Sequence, residues 1–461
     1  MKQIFLSLSL LVAFARPDRI YENSTELCSK KCACNLSQNN ETLYINCEGR
    51  GITHTLANWP KHPSSLQATF RNSTITTLDP MPGSDAKEIR LIYSNCKIKY
   101  LASGLLENAM NVKYLDLSYN EIEREQLSAN VFKGPYNNTV YEPILLEYLD
   151  LSYNRLHSLS KNVFIHTPNL KYLNFEGNRL RVMDHVTCLA LAKLTQLQDF
   201  NLANNRLTEI PHDAVRHFPN LTVINLSHNE LDFVPESLGY VAKSLQILNI
   251  SDNPIIEFEI HTFEGQQNIL KIFADNLGEL SLIRPRAFTP LRHLEVFKLS
   301  HCSKLSEIDE EAFFNVTTLE EVYLNGNNLK TLPTTLLPWD TLRVLNIEDN
   351  NFECDCNLYN LTVNFPKIAH MVSCIEPSSQ LSVELVTLTN STCAKTNKRI
   401  LGALVYGRVR VMRITLTTLI ILFILVGTFA MWLAHTKYKM YKRTSGYPFP
   451  VVYSPISSNR L

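Results

Sequence analysis

The chain has 461 residues, 45% of them hydrophobic and 19% charged, a composition that supports a sizeable buried core. Its 44 Lys and Arg match 44 Asp and Glu, yet no acid follows Glu384 while eleven basic residues do; setting those eleven and Lys2 aside leaves 32 basic against 44 acidic residues, a formal charge of minus twelve that disfavours a nucleic-acid partner. With only 14 glycines, scattered histidines, and no G-x-S-x-G, H-E-x-x-H or glycine-rich phosphate loop, the sequence predicts neither an enzyme nor a cofactor.

Lys2 and the apolar run Ile4–Ala15, closing on Ala13-Phe14-Ala15, predict a secretory signal peptide over 1–15. The run is too short to cross a bilayer. It directs the rest of the chain into an oxidising compartment, where eleven cysteines read as disulfides. Four of them, Cys28, Cys32, Cys34 and Cys47, fall in the next segment, 16–64, an N-terminal extension and cysteine-rich cap. Four cysteines allow three pairings, and a zinc site is the weaker alternative outside the cell.

From 65 to 352 the chain repeats itself. Leu221-Thr-Val-Ile224-Asn-Leu226-Ser-His-Asn229-Glu-Leu231 and Leu245-Gln-Ile-Leu248-Asn-Ile250-Ser-Asp-Asn253-Pro-Ile255 both read L-x-x-L-x-L-x-x-N-x-L. The asparagine returns at Asn120, Asn154, Asn178, Asn205, Asn229, Asn253, Asn327 and Asn350, most steps being 23 to 27 residues. This is a leucine-rich repeat, in about twelve copies. L-x-L alternation turns two apolar side chains inward from a short strand, and the asparagine can hydrogen-bond the adjoining turn. No copy can bury its apolar face alone. The copies are therefore expected to stack into an α/β repeat solenoid, a horseshoe with a parallel concave β-sheet and irregular or short helical convex segments. Phe164, Phe263, Phe288 and Phe313 recur on the convex half and are expected to plug the core. Cys96 and Cys302 take the asparagine position and Cys188 a convex one, which reads as three buried free thiols.

Exposed positions on the concave face form columns across successive strands. One column reads Tyr114, Tyr148, Tyr172, Asp199, Val223, Ile247; its neighbour reads Asp116, Asp150, Asn174, Asn201, Asn225, Asn249. Tyr119 and Tyr153 sit just past two early strands. Rigid rings beside carboxylates bring contact area at little entropic cost, so Tyr114, Asp116, Tyr119, Tyr148, Asp150, Tyr153 and Tyr172 are the candidate ligand-binding residues. The plainer alternative is that tyrosine merely suits strands. Between Asn120 and Asn154 the step lengthens to 34 residues, which predicts a surface loop near Lys133–Asn137.

Asn-x-Ser/Thr sequons stand at Asn23, Asn35, Asn40, Asn72, Asn137, Asn220, Asn225, Asn249, Asn315, Asn360 and Asn390. Glycans at Asn225 and Asn249 would project from adjacent strands and move a protein ligand toward the earlier repeats. A second cysteine group, Cys354, Cys356, Cys374 and Cys393, marks a C-terminal cap over 353–393, followed by a basic juxtamembrane linker, 394–413.

Ile414–Ala434 holds twenty-one residues without a charge. At about 1.5 Å of rise per residue it covers a hydrocarbon core of about 30 Å and predicts a transmembrane helix over 414–434. Basic residues flank both ends, so the signal peptide sets the orientation: N-terminus outside, with 435–461 a cytoplasmic tail. Every sequon lies on the outer side. The tail has no room for a folded signalling domain, and no cysteine in it could be palmitoylated. Tyr453-Ser-Pro-Ile456 matches the tyrosine-x-x-bulky sorting signal of endocytosis, with Tyr453 and Ile456 as its anchors.

The spacings C-x3-C-x-C-x12-C and C-x-C-x17-C-x18-C resemble the cysteine-rich flanks of extracellular leucine-rich-repeat proteins, a resemblance covering 28–393. The first flank lacks the proline often found after its first cysteine, and Phe365 stands where many second flanks carry tryptophan. The resemblance implies the pairs Cys28 with Cys34, Cys32 with Cys47, Cys354 with Cys374 and Cys356 with Cys393. The whole resembles single-pass leucine-rich-repeat cell-surface proteins, which implies a plasma-membrane recognition or adhesion receptor for extracellular or membrane protein ligands, with room for cis association with another receptor or a homodimer. The alternative is an accessory subunit modulating a channel or co-receptor through its ectodomain and membrane helix. An innate-immunity receptor fits less well without a cytoplasmic signalling domain.

Overall fold

The computed structural model describes residues 27–61, 64–366, 372–376, 379, 381–384, 425–437 and 439. One fourteen-stranded sheet runs through the repeats, from Ala33–Leu36 to Val344–Asn346. Only its first pair, Ala33–Leu36 with Thr42–Asn46, is antiparallel; every later pair is parallel. The stretch 65–352 supplies twelve of these strands, the expected number, and the N-terminal cap adds Thr42–Asn46 as a further parallel turn. Most of the strands are three residues long, with the central residue buried, as in Tyr148–Asp150 and Asp199–Asn201. That is the local outcome of L-x-L alternation.

The regular spacing of asparagines has a direct structural cause. Asn120 accepts from the backbone N–H of Cys96 and Ile98 through Oδ1, at 2.9 and 3.0 Å, and donates through Nδ2 to the carbonyls of Tyr93 and Leu117 at 2.8 and 2.9 Å. One buried amide thus closes its own turn and the turn of the preceding coil. Asn154, Asn178, Asn205, Asn229 and Asn253 repeat this arrangement. These backbone groups have no water to bond, and leaving one unpaired costs about 1–3 kcal/mol.

Other coils depart from the rule. Cys96 and Cys302 occupy the asparagine position, where their thiols point at the carbonyls of Phe70 and Ala274, 2.9 and 3.7 Å away. Leu277 fills it in the coil of strand Lys271–Phe273, and it is fully buried. The residue just before the asparagine position is left-handed in coil after coil: Asn95, Tyr119, Tyr153, Gly177, Asn204, His228, Asp252, Asn276, His301, Gly326 and Asp349 all have φ between 52° and 70°. Gly, Asn and Asp tolerate this conformation, whereas tyrosine rarely adopts it.

The expected phenylalanines do plug the convex half. Phe164, Phe263, Phe288 and Phe313 are all buried. Phe288 stacks on Phe313 with centroids 4.5 Å apart and meets Phe297 from the sheet at 4.8 Å. Cys96, Cys188 and Cys302 are free and buried, and burial pushes their thiols up to about 11, 11 and 12.

Disulfides Cys28–Cys34, Cys32–Cys47 and Cys354–Cys374 sit near the two ends of the stack. Cys356 is disulfide-bonded too; its expected partner Cys393 lies outside the described residues. The second cap is organised by the helix Cys356–Asn364, whose N-cap Asp355 accepts from Leu358 N at 2.9 Å and from Thr331 Oγ1 at 2.6 Å. Phe365 packs against Trp339 with centroids 5.8 Å apart.

A second unit spans 389–461. Within it residues 425–437 are helical, and Leu425, Val426, Phe429, Trp432 and Leu433 are exposed. Among the described residues no helix is long and apolar enough to cross a membrane. The expected signal peptide, residues 414–424 of the expected span, and the tail from 440 onward, with Tyr453 and Ile456, lie outside the described residues, as do Asn23 and Asn390.

Candidate ligand-binding face

The strand register aligns both columns as their spacing implied. Tyr114, Tyr148, Tyr172, Asp199, Val223 and Ile247 are consecutive partners, and so are Asp116, Asp150, Asn174, Asn201, Asn225 and Asn249. Parallel strands lie about 4.8 Å apart, close to the thickness needed for rings to stack. The three tyrosines do so: Tyr114 on Tyr148 with centroids 4.0 Å apart, and Tyr148 on Tyr172 at 4.1 Å and 2° between planes. The Arg90 guanidinium lies 4.2 Å from the Tyr114 centroid and extends the column by one strand. A second pair runs parallel to it, the exposed Tyr119 on the half-buried Tyr153 at 4.3 Å.

The carboxylates between the columns are largely satisfied. Asp116 accepts from Ser118 N at 2.9 Å and faces Arg71 at 3.8 Å. Asp150 accepts from Ser152 N at 2.8 Å and from Asn174 Nδ2 at 3.1 Å. Glu176 accepts from the Tyr153 hydroxyl at 2.7 Å and from Asn201 Nδ2 at 3.1 Å. Burial, reinforced by the negative charge of Asp116, pushes Asp150 up to about 6; burial alone does the same to Asp199. Burial followed by the Asp116 charge lifts the Tyr114 phenol to about 12, and Tyr148, Tyr153 and Tyr172 are raised as well, chiefly by burial. These hydroxyls stay protonated at neutral pH, and that of Tyr153 donates to Glu176.

All seven candidate residues therefore lie on adjacent coils of one sheet. Three neighbours of the patch were not singled out from the sequence: Arg90, Arg71 and Glu176. Arg90 was legible in principle, because it precedes Leu91 as Tyr114 precedes Leu115. A register shift between Ile89 and Arg90 interrupts the simple count there.

The long step after Asn120 forms a surface hairpin. Tyr136 bridges Tyr141, Gly134 N donates to Glu142 O at 3.1 Å, and Lys133 lies 4.6 Å from the Tyr141 ring. Among the sequons, Asn40, Asn72, Asn137, Asn220, Asn315 and Asn360 are exposed and Asn35 is half-buried. Asn225 and Asn249 are only 7% exposed, and each Oδ1 accepts from the backbone two residues on. Among the described residues no group of three or more His, Cys, Asp or Glu could hold a metal ion.

Two models described as leucine rich repeat match the chain, one over 144–198, 195–255 and 292–352, the other over 108–125. Tsukushi of Gallus gallus is 26% identical over 250 residues, covering 50% of this chain and 65% of that protein. CD180 antigen of Mus musculus is 30% identical over 276 residues, 59% of this chain and 36% of that protein. Lumican of Gallus gallus is 28% identical over 245 residues, 52% and 68% respectively. The chain thus spans less than two thirds of the length of Tsukushi and about a third of CD180 antigen. Among solved structures, a leucine-rich-repeat protein of Leptospira interrogans aligns with a TM-score of 0.49 at 18% identity, over 76% of this chain and 98% of that one.

Proposed function

We propose that this chain, a leucine-rich-repeat protein with disulfides near both ends of its stack, is a cell-surface recognition or adhesion receptor that binds an extracellular protein through its tyrosine-bearing strands. The observation that carries the reading is the ladder Tyr114, Tyr148, Tyr172 with the parallel pair Tyr119 and Tyr153. Pre-stacked rings have already lost their rotamer freedom, so a partner that covers them gains area without ordering them. A net acidic outer part disfavours nucleic acid as the partner.

The apolar stretch 414–434 is read as a single membrane span with the repeats outside, in the plasma membrane. The exposed apolar side chains of helix 425–437, with Trp432 near its basic end, support that reading. Exposed sequons support reading the outer part as a glycoprotein, and Tyr453 and Ile456 are read as a sorting signal. A second reading, an accessory subunit acting in cis through its ectodomain and span, rests on the same helix. No catalytic role is assigned.

The experiment displays the full chain on cells and screens it against a library of extracellular protein domains. A partner is expected whose binding falls at least about tenfold with Tyr148→Ala, the loss typical of a central interface aromatic. A captured partner indifferent to Tyr148 overturns the tyrosine face as the site. A mixed-cell aggregation assay separates the two readings, because an accessory subunit does not cluster cells.

A further inference from the structure

The two ends of the tyrosine column differ. At one end the Arg90 guanidinium covers Tyr114. At the other, Tyr172 stacks on Tyr148 through one face, and among the described residues no ring or cation covers its second face. The residue in register beyond it is Asp199, whose side chain is too short to cover a phenol ring. Asp199 is half-buried. Unlike Asp116, Asp150 and Glu176, its carboxylate makes no hydrogen bond or ion pair among the described residues. Past Asp199 the column turns apolar, with Val223 and then Ile247.

We propose that Tyr172 and Asp199 form a receptor site for a guanidinium group, the arginine side chain of a protein partner, which stacks on the open face of Tyr172 and sets its N–H fork on the Asp199 carboxylate. The inference rests on the reading of this face as a protein-binding surface and adds the chemistry that the partner must present. Arg90 shows the column accepting a guanidinium at its other end, at 4.2 Å. A carboxylate held in a partly dry site without a partner is unfavourable, and burial alone pushes Asp199 up to about 6. A cation placed beside it removes that penalty. Guanidinium suits the site better than ammonium because it is planar, weakly hydrated and able to stack and donate two parallel hydrogen bonds at once. Val223 and Ile247 would then contact an apolar residue next to that arginine.

The test titrates the purified full chain with an acetylated, amidated arginine-leucine dipeptide, and with the same dipeptide carrying citrulline or lysine in place of arginine. Saturable binding of the arginine dipeptide is expected, with citrulline, neutral but nearly isosteric, at least about tenfold weaker and lysine intermediate. Asp199→Asn and Tyr172→Leu should each weaken the arginine dipeptide about tenfold while the melting temperature shows that the stack is intact. Equal binding of the citrulline dipeptide, unchanged affinity in Asp199→Asn, or no saturable binding of the arginine dipeptide overturns the proposal. A protein partner lost with Tyr148→Ala but retained with Asp199→Asn sinks this inference alone. Indifference to both substitutions sinks the binding face beneath it.

Discussion

The ring of Tyr153 packs against the bare α-carbon of Gly177, so closely that a β-carbon at residue 177 would lie 2.5 Å from its Cδ1 and 2.6 Å from its Cε1. Gly177 also has φ +67°. The glycine is thus favoured by its own backbone and required by the tyrosine of the previous coil, and the same relation holds between His301 and Gly326.

Gly177→Ala is expected to destabilise the stack by about 2 kcal/mol or more: an alanine in the left-handed region costs about 1–2 kcal/mol, and displacement of the Tyr153 ring adds to it. Adding Tyr153→Ala should recover the steric part and leave the backbone part. Denaturant unfolding of both single variants and the double variant reads this as a non-additive cycle. Strict additivity rules the relationship out.

Asn154→Ala should be among the most damaging surface-distant substitutions in the repeats. It strips the acceptor from the buried Ile122 N and removes one of the two donors to the Leu117 and Leu151 carbonyls, which keep Asn120 Nδ2 and Asn178 Nδ2. At about 1–3 kcal/mol for the orphaned N–H, with a smaller part from the two weakened carbonyls, a loss of about 2–3 kcal/mol is expected. Asn351→Ala, which removes one exposed contact to Asn328, should change little by comparison. Equal melting points for the two variants would count against the ladder as the source of stability.

The pH dependence follows from Asp150 and Asp199, each pushed up to about 6 when folded, against about 3.9 in an unfolded chain. Between those values the folded state binds more protons, so this contribution to stability falls as pH rises. The penalty of ionising them is fully present above about pH 6 and relieved below it. The Asp150→Asn, Asp199→Asn double variant should therefore show a flatter melting-temperature profile from pH 5 to pH 7 than the parent protein. A profile of the same slope contradicts the assignment.

Cys96, Cys188 and Cys302 should resist iodoacetamide in the native protein at pH 8, because their thiols titrate near 11, 11 and 12 and are buried. All three should label in denaturant without reductant. Rapid native labelling of Cys188, on the convex helix His185–Leu191, would show that this segment opens.

The stack and its tyrosine columns were legible in the sequence because their periodicity is linear: Leu115, Leu149 and Leu173 announce the strands, and Tyr114, Tyr148 and Tyr172 precede them at a fixed offset. Leu277 escaped because it replaces the polar residue on which the reading relied, although its leucine frame is intact. The left-handed residue before each asparagine escaped because its occupants share a conformation and not a chemistry; only the backbone reveals Tyr119, Gly177 and Asp252 as equivalents. Asn225 and Asn249 read as exposed sequons on the concave face, yet in the structure they are buried, because an asparagine beside a tight turn folds back to accept from it. The pairing of Arg90 with Tyr114, and the lack of a partner for Asp199 among the described residues, depend on side-chain reach across strands that spacing cannot supply.

Leu277 has a mechanical consequence. From Asn120 to Asn253 six consecutive coils are stitched, each to the one before, by a buried amide; at Leu277 that stitch is missing, and strand pairing, apolar contact and the bond from Asp275 N to Ser251 Oγ join its coil to that of Asn253. Apolar contact resists separation less steeply with distance than a set of short directional bonds. Stretched between its ends in an optical trap, the stack is expected to part first between the coils of Asn253 and Asn327, where Leu277 and Cys302 both replace the amide, releasing the later coils while the tyrosine-bearing block holds. Load arriving from the C-terminal side would then spend itself on the later coils before it disturbed a bound partner.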